Sequence, residues 1–307
     1  MKVTRQLGAA DRLSWTTVGA LDRLDFNNET ASDRADNSRI LRLNQKQYFS
    51  VLTWRHAGSR GKLDVTLGRV FTRFDTFQND SLDPPSPVFQ NRSTEGETSL
   101  RADWRQSGAR LAWSAGGMAR YADQLAYDVD LPGSLRLDQN GAPAPLRVDT
   151  TLTAWRTAGW GDLTVRWSRT LQAALGLRGD YYDDLNAAWR AAPRFSASLQ
   201  RGGTTFRASA GRYWQSPSHI WTVGDTGNQA RLRPFRADQV VLGLSRTVRP
   251  DLKFQLEVYH KWYGDYPTRI FRPQSVLAPA GFEDVKSDIP FGLEPLASHV
   301  PGPSMAA

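Results

Sequence analysis

The residues best suited to chemistry in this chain lie in one stretch, QSPSHIWTVGDTGNQARLRP, residues 215–234, and just before it. Trp214, His219 and Trp221 offer flat rings that can stack on a planar ligand, and Arg231 and Arg233 can pair with its carboxylates. The plainer assignment makes Trp214 an interfacial anchor and the rest a solvated loop. His56, His219, His260 and His299 are far apart and show no HxxxH or HExxH spacing, so no metal site is expected. Asp25, Asn27, Asn28, Asp33 and Asp36 crowd residues 22–38 without the order of a calcium loop, and a polar loop is expected there. Asp183 and Asp184 are adjacent carboxylates, but neighbours on an extended chain point apart, and no second acid is placed to complete a glycosidase pair. No nucleophile elbow, P-loop or dinucleotide fingerprint occurs. The chain therefore reads as a binding protein without catalytic residues, metal or cofactor.

The elements that must hold these residues are strands. PRFSASLQ (193–200), the turn RGG and TTFRASAGRYWQ (204–215) form one hairpin. RADQVVLGLSRTV (236–248), the turn RPD and LKFQLEVYHKWYGDY (252–266) form a second. Val240, Leu242 and Leu244 alternate with Gln239, Val241 and Gly243, while Phe254, Leu256 and Val258 alternate with Gln255 and Glu257. That period of two marks strands with two unlike faces. Strands are also expected at 13–21, 39–57, 62–77, 94–106, 110–124, 150–167 and 171–182, giving eleven. Short connections alternate with long ones throughout, and the loop at 78–93 carries Pro84, Pro85 and Pro87, which excludes a central strand there. A sandwich has no reason to keep all its long loops at one end, whereas an up-and-down membrane barrel does. Val240, Leu242, Leu244, Phe254, Leu256 and Val258 are then expected to face lipid, and Arg178, Asp180, Arg207, Glu257 and Lys261 to make cross-strand ion pairs inside. A soluble or secreted β-sandwich acting as a binding or adhesion module is the alternative, with the same apolar residues sealed between two sheets.

Composition agrees with strands. The 307 residues include 11 Trp, 9 Tyr and 13 Phe, suited to interfacial girdles, and no run approaches a membrane-spanning helix. There is no Cys. Only six of the 39 basic residues are Lys, and the 33 Arg are spread along the chain rather than gathered in a patch, which argues against nucleic acid as a partner. The first residues lack the apolar core of a signal peptide. Residues 267–307 hold seven prolines, so the barrel segment is expected over 1–267 and an extended or disordered tail over 268–307.

At 193–218 and 232–267, together with GLRGDYY (176–182), the sequence resembles the barrel domain of TonB-dependent receptors of the Gram-negative outer membrane. The shared features are a "PR-strand-turn-T-strand" hairpin ending in Gly-Arg-Tyr with Pro-Ser at the mouth of a loop. A Leu-x-Pro element then precedes a strand ending in Leu-Gly-Leu; Phe235 stands where the family usually has Glu. The resemblance implies an antiparallel up-and-down transmembrane β-barrel, all-β and incomplete, about 11 strands of a 22-stranded whole. It also implies uptake of a scarce siderophore-, cobalamin- or glycan-like ligand, with outer-membrane lipid around the barrel. TonB would act only through a plug domain not found in this chain. With no closing C-terminal strand either, the sequence is expected to be a fragment of a receptor.

Overall fold

In the computed structural model, residues 1–38, 40–82, 85–131, 145–186, 189–223, 230, 232–265, 267–269 and 293–295 are described. Strands dominate: β1 (Lys2–Gln6), β2 (Asp11–Asp22), β3 (Arg42–Gly58), β4 (Gly61–Leu82), β5 (Pro85–Asn91), β6 (Thr94–Ser107) and β7 (Leu111–Leu131). They continue as β8 (Leu146–Arg166), β9 (Leu171–Tyr182), β10 (Trp189–Arg201), β11 (Thr204–Gln215), β12 (Phe235–Arg249) and β13 (Leu252–Gly264). All thirteen belong to one antiparallel sheet in chain order, with β5 as a side branch near the ends of β4 and β7. Two short helices, α1 (Ala31–Ser38) and α2 (His219–Val223), sit in long connections. Beyond β13, Pro267–Arg269 and Leu293–Pro295 pair as β14 and β15, and the rest of the tail lies outside the described residues.

All eleven expected strands are present, and two more join them. β1 adds a sixth short connection and keeps the alternation of short and long loops unbroken. β5 contains Pro85 and Pro87 and pairs through register shifts at Asn79 and Ser81, so the prolines stay out of the central ladder while still permitting a rim strand. At the β10–β11 turn, Gly202 and Gly203 take φ of 53° and 77°, the left-handed pair that a two-residue hairpin loop requires.

Register fixes the two faces. Leu199 pairs with Phe206, Phe206 with Leu244, and Leu244 with Leu256, so one row of apolar side chains crosses four strands on one side. Next to it, Ala208, Leu242 and Val258 form another row. Leu242 is 58% and Val258 62% exposed. Side chains packed between two sheets would be buried, so the sandwich alternative fails and the apolar face is the open outer one. Aromatic rings mark both ends of that face. Near the long loops lie the ring pairs Tyr48–Phe71, Tyr121–Trp155, Tyr181–Trp189 and His260–Trp262. Near the short turns lie Trp54, Trp104 and Trp113, as expected of interfacial girdles.

The opposite face is polar. Trp160 lies between the guanidiniums of Arg101 and Arg178, 4.7 and 5.2 Å from its ring. Each arginine pairs with an aspartate two residues on along its own strand, Asp103 and Asp180. This corrects the expectation of a cross-strand partner for Arg178: residues at i and i+2 share a face, and the aspartate on the same strand is nearest. Cross-strand pairs occur elsewhere, as between Arg55 and Asp64.

Beyond the long-loop girdle, a register shift between Ala122 and Leu125 turns β7 over. Leu125, Tyr127 and Val129 thereby join Ala122, Val148 and Ala154 in a buried cluster, against which Phe89, Leu152 and Val223 pack. Residues 125–131 and 146–148, expected as loop, are strand.

Candidate functional site

The cluster just described carries α2, and α2 brings part of the 215–234 stretch to the inner wall. Three elements meet there. Arg156 of β8 pairs in register with Tyr182 of β9, so both point inward. Just past β9, Asp183 holds the Trp155 backbone of β8 from two sides: its side-chain Oδ1 accepts from Trp155 N at 2.7 Å and its own N donates to Trp155 O at 3.1 Å. Asp184 therefore turns the other way, toward Arg156.

The contact is bidentate. Arg156 Nε donates to Asp184 Oδ1 at 3.1 Å and Nη2 to Oδ2 at 2.5 Å. Arg156 Nη1 also donates to Ser216 Oγ at 2.8 Å, and His219 Nδ1 lies 3.2 Å from both Nη2 and Asp184 Oδ2. Protonated, that ring nitrogen serves Asp184; unprotonated, it accepts from Arg156. The Asp184 side chain is 1% exposed. Burial alone raises its pKa, but hydrogen bonds from His219 and Arg156 outweigh it and hold the carboxyl at about 2. Asp183 shifts the other way: burial pushes it up, and the charge of Asp184 adds to the effect.

Both ends of the 216–234 loop are fastened. Pro217, Leu232 and Pro234 are fully buried, with Leu232 packed on Tyr182 and Leu185. Asn186 Nδ2 donates to Ala230 O at 2.7 Å, which ties this loop to the β9–β10 connection. The arrangement is a latch. Its carboxylate is saturated by a guanidinium, and no cluster of three metal-ligating side chains occurs among the described residues, so it positions a loop rather than reacting.

The structure separates the residues that sequence spacing had grouped. His219 is inside the latch. Trp214 lies at the girdle, its ring 5.0 Å from Arg190 and 5.9 Å from Arg212, and its Nε1 donates to Ala191 O. Arg233 is exposed on the loop. Arg231 and the side chain of Trp221 lie outside the described residues. Arg156 and Ser216 complete the latch and carried no sequence signal beyond the inward parity of β8.

An up-and-down sheet with an apolar outer face, two aromatic girdles and long loops fastened at one rim defines the wall of a transmembrane β-barrel. The family model "TonB dependent receptor-like, beta-barrel" matches residues 4–287, and the chain belongs to this family of Gram-negative outer-membrane receptors and transporters, whose members are not enzymes. Among solved structures it is similar to the siderophore receptor PirA from Pseudomonas aeruginosa, at 12% identity and TM-score 0.61, over 96% of this chain and 48% of that one. The copper transporter OprC is 11% identical with TM-score 0.63, over 87% and 45%. The hemophore receptor HasR of Serratia marcescens is 13% identical with TM-score 0.61, over 88% and 45%. The chain thus spans a little under half the length of these receptors. No curated protein matches it significantly.

Proposed function

We propose that this chain forms ligand-gathering wall in a receptor that takes up a scarce, metal-bearing small molecule. The loop 216–234 would make first contact at the long-loop rim. What supports this reading is the latch: a buried Arg156–Asp184–His219 network fastens a loop that still presents Arg233 to solvent. A site on a fastened loop pays less ordering entropy on binding than one on a free loop. In this reading Trp214 and His219 place the loop, while Arg233, with Trp221 and Arg231, meets the ligand. The similar receptors named for a siderophore, copper and heme favour a metal-bearing ligand over a glycan. Import would belong to the whole receptor, with TonB acting through a plug domain.

Quenching of Trp fluorescence in the detergent-solubilised protein, titrated with ferric enterobactin, hemin or Cu(II), tests the reading. Saturable quenching by one probe, weakened roughly fivefold to tenfold in Arg233→Ala through loss of a charge-assisted hydrogen bond, is expected. Absence of saturation with all three probes, or equal affinity in the variant, rules it out.

A further inference from the structure

The apolar face ends abruptly at the long-loop side. Along the β11–β12 ladder the outward pairs run Phe206–Leu244, Ala208–Leu242 and Ala210–Val240, and then Arg212–Asp238 and Trp214–Arg236. Arg246, on the same face of β12, lies eight residues after Asp238 toward the other rim. That is about 26 Å of strand at roughly 3.3 Å per residue. At the usual tilt it spans about 20 Å of membrane, so the Arg212–Asp238 row falls near the edge of the apolar band, at headgroup level.

The charges of this row do not balance. Arg212 Nε and Nη2 both donate to Asp238, at 2.7 and 3.1 Å. Arg236 Nε lies 3.4 Å from the same carboxylate, is closed off from solvent and has no hydrogen-bond partner. Two guanidiniums thus share one aspartate. Elsewhere on the outer face, Arg69 is matched one to one by Asp123. Trp262, opposite Asp238 on β13, closes the row with a girdle ring. Excess positive charge at a lipid boundary, with an unmet N–H donor, needs an anion.

We propose that Arg212 and Arg236, framed by Trp214 and Trp262, bind the phosphate of a phosphorylated glycolipid in the leaflet on the long-loop side. The guanidiniums take the phosphate oxygens and the indoles flank the sugar. Asp238 holds both arginines in place and competes with the lipid for their donors.

Native mass spectrometry of the detergent-solubilised protein, with diphosphorylated lipid A or its dephosphorylated form added, tests this directly. Bound diphosphorylated lipid should fall roughly fivefold for each of Arg212→Ala and Arg236→Ala. Arg246→Ala, at the opposite rim, should bind as the parent does. Asp238→Asn, which keeps both arginines and frees their donors, should raise occupancy, and it decides the matter if the alanine variants do not fold. Equal uptake of the two lipid forms, unchanged binding in the arginine variants, or a loss in Asp238→Asn would overturn the proposal.

Discussion

Arg156 and Asp184 stand 28 residues apart in the chain and meet through two hydrogen bonds, Nε to Oδ1 and Nη2 to Oδ2. The pair joins the inner wall at β8 to the loop after β9 and, through Ser216 and His219, to the loop after β11. One ion pair thereby fastens two long loops.

Removing one partner leaves the other charged and buried. Asp184→Asn or Arg156→Ala should cost the latch roughly 3 kcal/mol, the toll for breaking a buried pair from one side. Because the β-wall does not depend on it, the loss is expected as local opening. Limited proteolysis should show faster cleavage within 216–234, with the heat-resistant barrel signature in electrophoresis unchanged.

The same pair sets an acid boundary. The Asp184 carboxyl sits at about 2, below its ordinary 3.8. A lowered folded value means that its contribution is complete above about 4 and drains away as pH falls toward 2. Pepsin cleavage of the 216–234 loop, compared at pH 4 and pH 2, should rise in the parent protein and be far less pH-dependent in Asp184→Asn.

On the inner wall, Gly116 pairs with Trp160, and a Cβ at Gly116 would come 2.6 Å from that ring and 2.7 Å from the Ala102 carbonyl oxygen. Backbone cannot give way cheaply. Gly116→Val should therefore destabilise by about 1–3 kcal/mol through overpacking, measurable as a lower urea midpoint for unfolding in micelles. Gly179, with open space around its Cβ position, should accept Ala with little change.

Much of this architecture was legible from period-two alternation, because a face that meets lipid repeats the same simple constraint on every strand. What escaped was set by neighbours. β1 is five exposed residues, four of them polar or charged around the single apolar Val3, too short for alternation to register. β5 hid behind Pro85 and Pro87, which are harmless on a rim strand whose pairing is already irregular. The register shift between Ala122 and Leu125 reverses the faces of β7, so Leu125 and Tyr127, which parity alone would send outward, are buried inside. The grouping of Trp214 with His219 rested on nearness in sequence. One is the last outward aromatic of a strand and the other the first residue of a helix folded over the inner wall, so five residues separate two faces of the sheet.

Charge placed on the apolar face should be costly, and next door it should not. Leu256→Arg puts a guanidinium among the lipid-facing side chains and should lose about 2–4 kcal/mol near the midplane. Gln255→Arg, one residue earlier on the polar face, should be close to neutral. Urea titration of refolding into lipid vesicles gives both values.

The absence of Cys allows a nitroxide to be placed at any single position through one introduced thiol. The most direct measurement is the accessibility of such labels in lipid vesicles along β12 and β13, at 240, 241, 242, 243, 244 and at 254 to 258. Labels at 240, 242, 244, 254, 256 and 258 should be open to dissolved oxygen and closed to a water-soluble nickel chelate, and those at 241, 243, 255 and 257 the reverse. Equal exposure of both sets to the chelate, or oxygen access without a period of two, would contradict an apolar face turned toward lipid.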